Sequence, residues 1–250
     1  MPKIRQRVGK KQKNMKAKIL FLTAVFLALG TNVCFAKKIK ITCDQEDAKI
    51  YVDNDYMAQG SHIAVFGKKE GHIRVKIVKE GFITRRFKIK AEDKRNSIDV
   101  ILEKDEGWAV SSENKLANKY FAIPVSEKYI EKAGGQEEAA KLAWKQLHQI
   151  LLKYIEEIEE SNMMGGFIQS AWVTKTFANS SLLDYEGIQW RTRVSIKESS
   201  DGDNLVYRVK ITSEVAPIGA YSEESYQPIN RVLKSFEPMI SEFQARLGSF

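Results

Sequence analysis

The chain has 250 residues, with 40 Lys+Arg against 32 Asp+Glu and a formal net charge of +8, a balance that invites nucleic acid or acidic lipid as a partner. Eight of the basic side chains lie in residues 1–36, which hold no acid, so the remainder is neutral and no nucleic-acid partner is expected. An apolar fraction of 43% excludes wholesale disorder, and the length admits one large domain or two small ones.

Residues 1–36 run from a basic stretch ending at Lys18, through an apolar run from Ile19 to Leu29, to a more polar close ending Cys34-Phe35-Ala36. This is the three-part plan of a secretory signal, with cleavage expected after Ala36. As a helix the apolar run rises about 16 Å, roughly half the hydrocarbon thickness, so it is short for a membrane span. Lipid attachment at Cys34 is the minority alternative, because Asn32 and Val33 are not the small pair that such processing prefers. No spanning helix is expected in the mature protein, which is placed in the periplasm or at the envelope. With Cys34 removed, Cys43 stands alone, and its alternation with Ile39 and Ile41 reads as a small buried apolar residue.

Residues 37–104 alternate with period two. Ile39, Ile41 and Cys43, then Ile50 and Val52, then Ile73, Val75 and Ile77, then Phe87 and Ile89, then Ile98, Val100 and Leu102 each mark a half-buried strand. Turn residues separate them at Asp53-Asn54-Asp55, Gly60-Ser61, Lys79-Glu80-Gly81 and Asp93-Lys94-Arg95-Asn96. Short strands without intervening helices predict a small antiparallel sandwich. Glu46, Ala48, Ile50-Tyr51-Val52-Asp53, Gly60, Gly71-His72-Ile73-Arg74-Val75, Lys79-Glu80-Gly81-Phe82 and Asp99-Val100-Ile101-Leu102 follow one another in an order that resembles the PEGA family of small exported β-sandwich modules. The segment departs from that pattern at Gln45 and Asp47, where the eponymous Pro and Gly would stand, at Asn54 for the turn Gly, and at Ser61-His62 for Thr-Pro. The resemblance implies a non-catalytic envelope module.

If the third and fourth strong strands pair as a hairpin, His72, Arg74 and Lys76 meet Arg86, Lys88 and Lys90 on one sheet face. That face is either a solvated surface that limits edge association or a binding face for an anionic wall or lipid component or the protein's own acidic half. Residues 37–104 carry 16 basic and 11 acidic side chains, whereas residues 105–250 carry 16 and 21, so the two parts attract.

Residues 105–117 read as a linker carrying Trp108. Residues 118–250 read as an α+β domain. A short strand is expected at Tyr120 to Pro124, and a helix from Gln136 to Glu160 whose stripe includes Ala139, Leu142, Ala143, Leu147, Ile150, Leu151, Tyr154, Ile155 and Ile158. Glu156 to Glu160 would then crowd the last turn, where the helix dipole disfavours carboxylates, and a basic group is expected opposite. Strands follow at Gly166 to Ala178, Gly187 to Lys197 and Leu205 to Val215, then a final helix from Tyr226 to Leu247. This order, with the strands Ala171-Trp172-Val173 and Arg191-Thr192-Arg193-Val194, resembles the helix-grip architecture of exported domains such as those in the lipoprotein C component of the outer-membrane barrel assembly machinery. Trp172 and Trp190 mark a candidate apolar groove, although stripes at this spacing are mostly core.

The three histidines, His62, His72 and His148, have no metal-ligand spacing, and no nucleophile elbow, phosphate loop or cysteine pair is present. No cofactor and no enzymatic activity are expected. The fold class expected is an all-β sandwich module followed by an α+β domain, an antiparallel sheet with two long helices on one face. The functional expectation is an exported cell-envelope interaction or scaffold module whose partner is an envelope protein or an anionic wall or lipid component. A periplasmic carrier of an apolar or amphiphilic ligand is the alternative.

Overall fold

The computed structural model of the protein describes residues 37–67, 71–201 and 204–248. The expected secretory signal, with Cys34 and the expected cleavage site at Ala36, lies outside the described residues. The chain is mostly β, with several largely antiparallel sheets. Its first part contains β1 (Lys38–Cys43), β2 (Lys49–Val52), β3 (Asp55–Gln59), β4 (Ser61–Val65), β5 (His72–Val78), β6 (Arg85–Lys90) and β7 (Ser97–Val100). One sheet has the order β4-β1-β7, with β1 and β7 parallel, and the other the order β3-β2-β5-β6. Alternate side chains of both, including Ile39, Ile41, Ile50, Ile73, Val75, Ile77, Ile89 and Val100, form one buried cluster, as period-two patterning requires of two sheets that share a core. Cys43, expected inside, is only half-buried at the end of β1, and burial there pushes its thiol pKa up.

Two turns set the register. Asp53 and Asn54 both have positive φ (49° and 76°), as a two-residue hairpin between Val52 and Asp55 demands, and Asn54 takes the turn without a glycine. Gly60 has φ +64°, and a Cβ there would stand 2.6 Å from the carbonyl oxygen of Glu46. Gly60→Ala is therefore expected to cost about 1–3 kcal/mol, read as a lower urea midpoint at unchanged slope.

The segment expected as a linker is ordered. Asp105 caps α1 (Glu106–Ala109), and β8 (Ser111–Glu113) pairs with β16 (Arg231–Leu233). The rest comprises β9 (Tyr120–Pro124), α2 (Glu127–Ala133), α3 (Gln136–Tyr154), β10 (Ile158–Asn162), β11 (Phe167–Ser170), β12 (Val173–Phe177), β13 (Ile188–Asp201), β14 (Asn204–Pro217), β15 (Gln227–Pro228), and α4 (Glu237–Phe243) running into a π turn at Gln244–Gly248. The β13–β14 hairpin is the spine of a seven-stranded sheet. β11 and β12 share one flank of it and β9 and β15 the other. Trp190, Val194, Ile196, Val209 and Ile211 pack with Ala143, Leu147 and Leu151 of α3 and Met239 and Phe243 of α4 in a second buried cluster.

Three expectations are corrected here. α3 stops at Tyr154, because Ile155 turns extended (φ −133°) and Ile158–Asn162 pairs with β11, so the glutamates lie beyond the helix end. Its last turn carries Lys153, bound to Glu242 at 2.7 Å, and Leu142, assigned to its stripe, is exposed. The strand expected from Gly166 to Ala178 is two strands, broken at Ala171-Trp172. The final helix is shorter than expected: Val232 and Leu233 belong to β16, Ile229 to the connection before it, and the helix begins at Glu237, with Pro238 in its first turn. Arg231, Val232 and Leu233 are all buried, so their run carries no alternation to separate strand from helix.

Candidate functional site: a cationic sheet face and the joint beside it

β5 and β6 pair antiparallel with His72 opposite Lys90, Arg74 opposite Lys88 and Lys76 opposite Arg86. Because Ile73, Val75, Ile77 and Ile89 point into the core, all six candidate residues share the outer face. β2 adds Tyr51 beside Lys76, and Tyr51 meets Tyr56 of β3 edge to face at 5.8 Å. Like charges directly opposite one another destabilise a sheet, so this arrangement calls for anions.

One anion is internal. Asp184, from the segment between β12 and β13, places one carboxylate oxygen 2.6 Å from Lys76 Nζ and the other 2.8 Å from Arg86 Nη2. The hydrogen bond from Lys76 holds the Asp184 carboxyl below the usual carboxylate range. Lys90 reaches Glu92 at 3.6 Å, a pair exposed on both sides and worth little. Among the described residues neither Arg74 nor Lys88 has an ion-pair partner.

The same segment builds the joint between the two parts. The Asp105 carboxylate is buried and accepts hydrogen bonds from Trp108 N (2.9 Å), Ser180 Oγ (2.6 Å) and Ser181 N (2.7 Å). Ser181 Oγ in turn accepts from Thr84 N at 2.9 Å. Gly107 passes so close that a Cβ would meet Ser180 Oγ at 2.8 Å. Trp108 has the Arg231 guanidinium over its ring at 3.6 Å. That guanidinium donates to Ser111 Oγ and to the carbonyls of Ser111 and Trp108, and burial pulls its pKa down. An open groove of about 1040 Å³ runs between the edge strands β6 and β7 and the segment around Ser180.

The candidate apolar groove is not assembled. Trp190 is fully buried, donates to Ser213 Oγ at 2.9 Å and meets Phe177 edge to face. Trp172 is only half-buried and stacks on Arg191 and Arg193, which alternate with Trp190 along β13 and so lie on the opposite sheet face. Arg191 is held between Trp172 and Tyr226 and bound by Glu214 and Glu223. A cleft of about 400 Å³ beside Trp172 is lined by Tyr154, Glu156, Lys175 and Phe236 and does not reach Trp190.

His148 Nε2 lies 2.8 Å from Ser161 Oγ, with Nδ1 2.9 Å from the Trp144 carbonyl. This is nucleophile-and-base spacing, but neither residue lines any of the clefts above, and the pair reads as a helix-to-strand contact. Among the described residues no group of three or more His, Cys, Asp or Glu could hold a metal ion. No helix among them is long and apolar enough to cross a membrane.

No protein-family model and no curated protein matches this sequence. Among solved structures, a Bacteroides fragilis protein of unknown function is similar at 10% identity, over 71% of this chain and 95% of that one. Its TM-score is 0.23, at which the likeness does not establish a shared fold.

Four residues central to this geometry carry no local signal. Asp105 and Asp184 look like loop acids, and Arg191 and Arg231 like exposed strand or helix cations. The change of composition after Lys104 and the Gly107-Trp108 pair marked the neighbourhood of the joint, but not the residue at its centre.

Proposed function

We propose that the protein is an exported component of the bacterial cell envelope that works as a non-enzymatic interaction or scaffold module. In this reading the two sheets of residues 37–104 form a PEGA-like β-sandwich, and the remainder is an α+β unit of helix-grip type that holds the sandwich in a fixed orientation through Asp105. The working surface is the outer face of β5 and β6, and the partner is an anionic wall or lipid component or an acidic envelope protein. One observation carries this: the β5–β6 register gathers six basic side chains in three opposed pairs, of which the Arg74 and Lys88 side chains make no ion pair among the described residues. The carrier alternative draws no support from Trp172 and Trp190: Trp190 is buried in the core, and Trp172, in the break between β11 and β12, stacks on Arg191 and Arg193.

The purified protein should bind phosphatidylglycerol vesicles or isolated anionic wall polymer at low salt and release them as salt rises, since exposed charges are screened within about 10 Å at 0.1 M. The double change Arg74→Gln with Lys88→Gln should weaken binding about tenfold, the loss of two exposed charge contacts at roughly 0.7 kcal/mol each. Binding that ignores salt, or that survives the double change, would remove this face from the reading.

A further inference from the structure

We infer that the three β5–β6 rungs form a track for a linear polyanion, a chain of regularly spaced phosphate or carboxylate groups, and that Asp184 occupies its first rung as a built-in competitor. This rests on the cationic face being the working surface and names what that surface takes. The rungs Lys76–Arg86, Arg74–Lys88 and His72–Lys90 succeed one another every second residue, about 6.6 Å apart along the strands. The first rung displays how a rung binds: one carboxylate is shared between both cations, at 2.6 and 2.8 Å. The second rung repeats the opposed cations; the Asp53 carboxylate accepts from the Arg74 backbone N–H at 2.9 Å, but among the described residues neither the Arg74 nor the Lys88 side chain makes an ion pair.

The shape of the surroundings selects a chain over a flat surface. Leu182–Asp184 reaches the first rung from outside the sheet, and Leu183 beside it is exposed. A bilayer lowered onto the second and third rungs would meet this segment, whereas a chain a few ångströms wide lies along the strands and ends against it. To gain the first rung the chain must take Lys76 and Arg86 from Asp184. Leu183 and Asp184 both sit at positive φ (55° and 64°), a conformation uncommon for non-glycine residues and rarer for Leu than for Asp. The ion pairs to Lys76 and Arg86 therefore help to hold a turn that is poised to relax when they are broken.

Long-chain inorganic polyphosphate is the probe, titrated against the purified protein with phosphatidylglycerol vesicles in parallel. Asp184→Asn keeps the turn, because Asn accepts the left-handed conformation, and frees the first rung. The variant should bind polyphosphate at least about threefold more tightly, and its log-affinity against log-salt slope should steepen by about 0.7 for each cation released. In the unaltered protein, polyphosphate should speed hydrogen exchange at the amides of Asp184 and Tyr185, which donate to the Ser181 and Leu182 carbonyls. Unchanged or weaker binding by Asp184→Asn, together with unchanged exchange at these amides, overturns the competitor. Binding to vesicles through Arg74 and Lys88 with none to polyphosphate overturns the linear track and leaves the proposed function standing. Binding to neither probe at low salt overturns both.

Discussion

Asp105→Ala is expected to lower stability by about 4 kcal/mol and to resolve unfolding into two transitions. The carboxylate is 2% exposed and is the shared acceptor of Trp108 N, Ser180 Oγ and Ser181 N. Removing it leaves two buried donors, Ser180 Oγ and Ser181 N, and the part-buried Trp108 N unsatisfied, at roughly 1–3 kcal/mol for each buried one and less than additively because they share one site, and also removes an N-cap. Asp105, Trp108 and Ser181 line an open cleft of about 470 Å³, through which water can partly replace the lost acceptor, so about 4 kcal/mol is an upper figure. Asp105→Asn should recover only part of the loss, since its amide group presents donors where donors already point. The effect should be felt at a distance. Ser181, which Asp105 fixes, holds Thr84 just ahead of β6, and Asp184 three residues on holds Lys76 and Arg86. Calorimetry alongside urea unfolding followed by tryptophan fluorescence tests this, because Trp108 lies in the joint and Trp190 in the second core. A single transition shifted by less than about 1 kcal/mol would show that the joint does not couple the two parts.

Trp190→Ala should cost about 4 kcal/mol, and Trp190→Phe clearly less. The indole is fully buried among Ile188, Val194 and Val215, meets Phe177 edge to face and donates to Ser213 Oγ. Truncation removes the largest buried side chain of that core and leaves a cavity that a sheet pinned on both flanks cannot close. Phenylalanine keeps most of the apolar volume and leaves Ser213 without its donor. The measurement also bears on the carrier alternative. A tryptophan lining a ligand site would tolerate truncation with little loss of stability and change ligand affinity instead, whereas a core tryptophan loses stability first. A urea midpoint unchanged in Trp190→Ala would restore the groove to consideration.

Strand positions in the first part were legible because alternation is a local property. A residue and its second neighbour face the same way in any strand, so Ile73, Val75 and Ile77 announced an inner face and His72, Arg74 and Lys76 an outer one before any pairing was known. The register, with Arg74 opposite Lys88, came only from the pairing of β5 with β6. The final helix was misread for the converse reason. Ile229, Val232, Leu233, Phe236, Met239 and Phe243 fit three-four spacing, but Val232 and Leu233 lie in a strand on β8, and Ile229 lies in the connection before it, its N–H bonded to the Ser213 carbonyl. Pro228 and Pro238 were the signal against one continuous helix: proline is at home in a first turn and disrupts an interior one. The acidic run after α3 carried a similar warning, since carboxylates at a helix C-terminus oppose the dipole, and the chain avoids that conflict by ending the helix at Tyr154.

Residue order alone therefore established a basic first 36 residues ahead of a neutral remainder, two parts of opposite charge, an alternating β segment and a cationic strand face, because each of these is written within a few neighbouring residues. What that face does in the fold depended on segments that meet from far along the chain. Asp184 lies 108 residues from Lys76 and 98 from Arg86, and Ser180 lies 75 from Asp105. The general attraction between a basic and an acidic half is a statement about net charge. Its resolution into one carboxylate between two cations, beside one buried aspartate that holds the joint, comes from packing, which brings together groups that no local pattern relates.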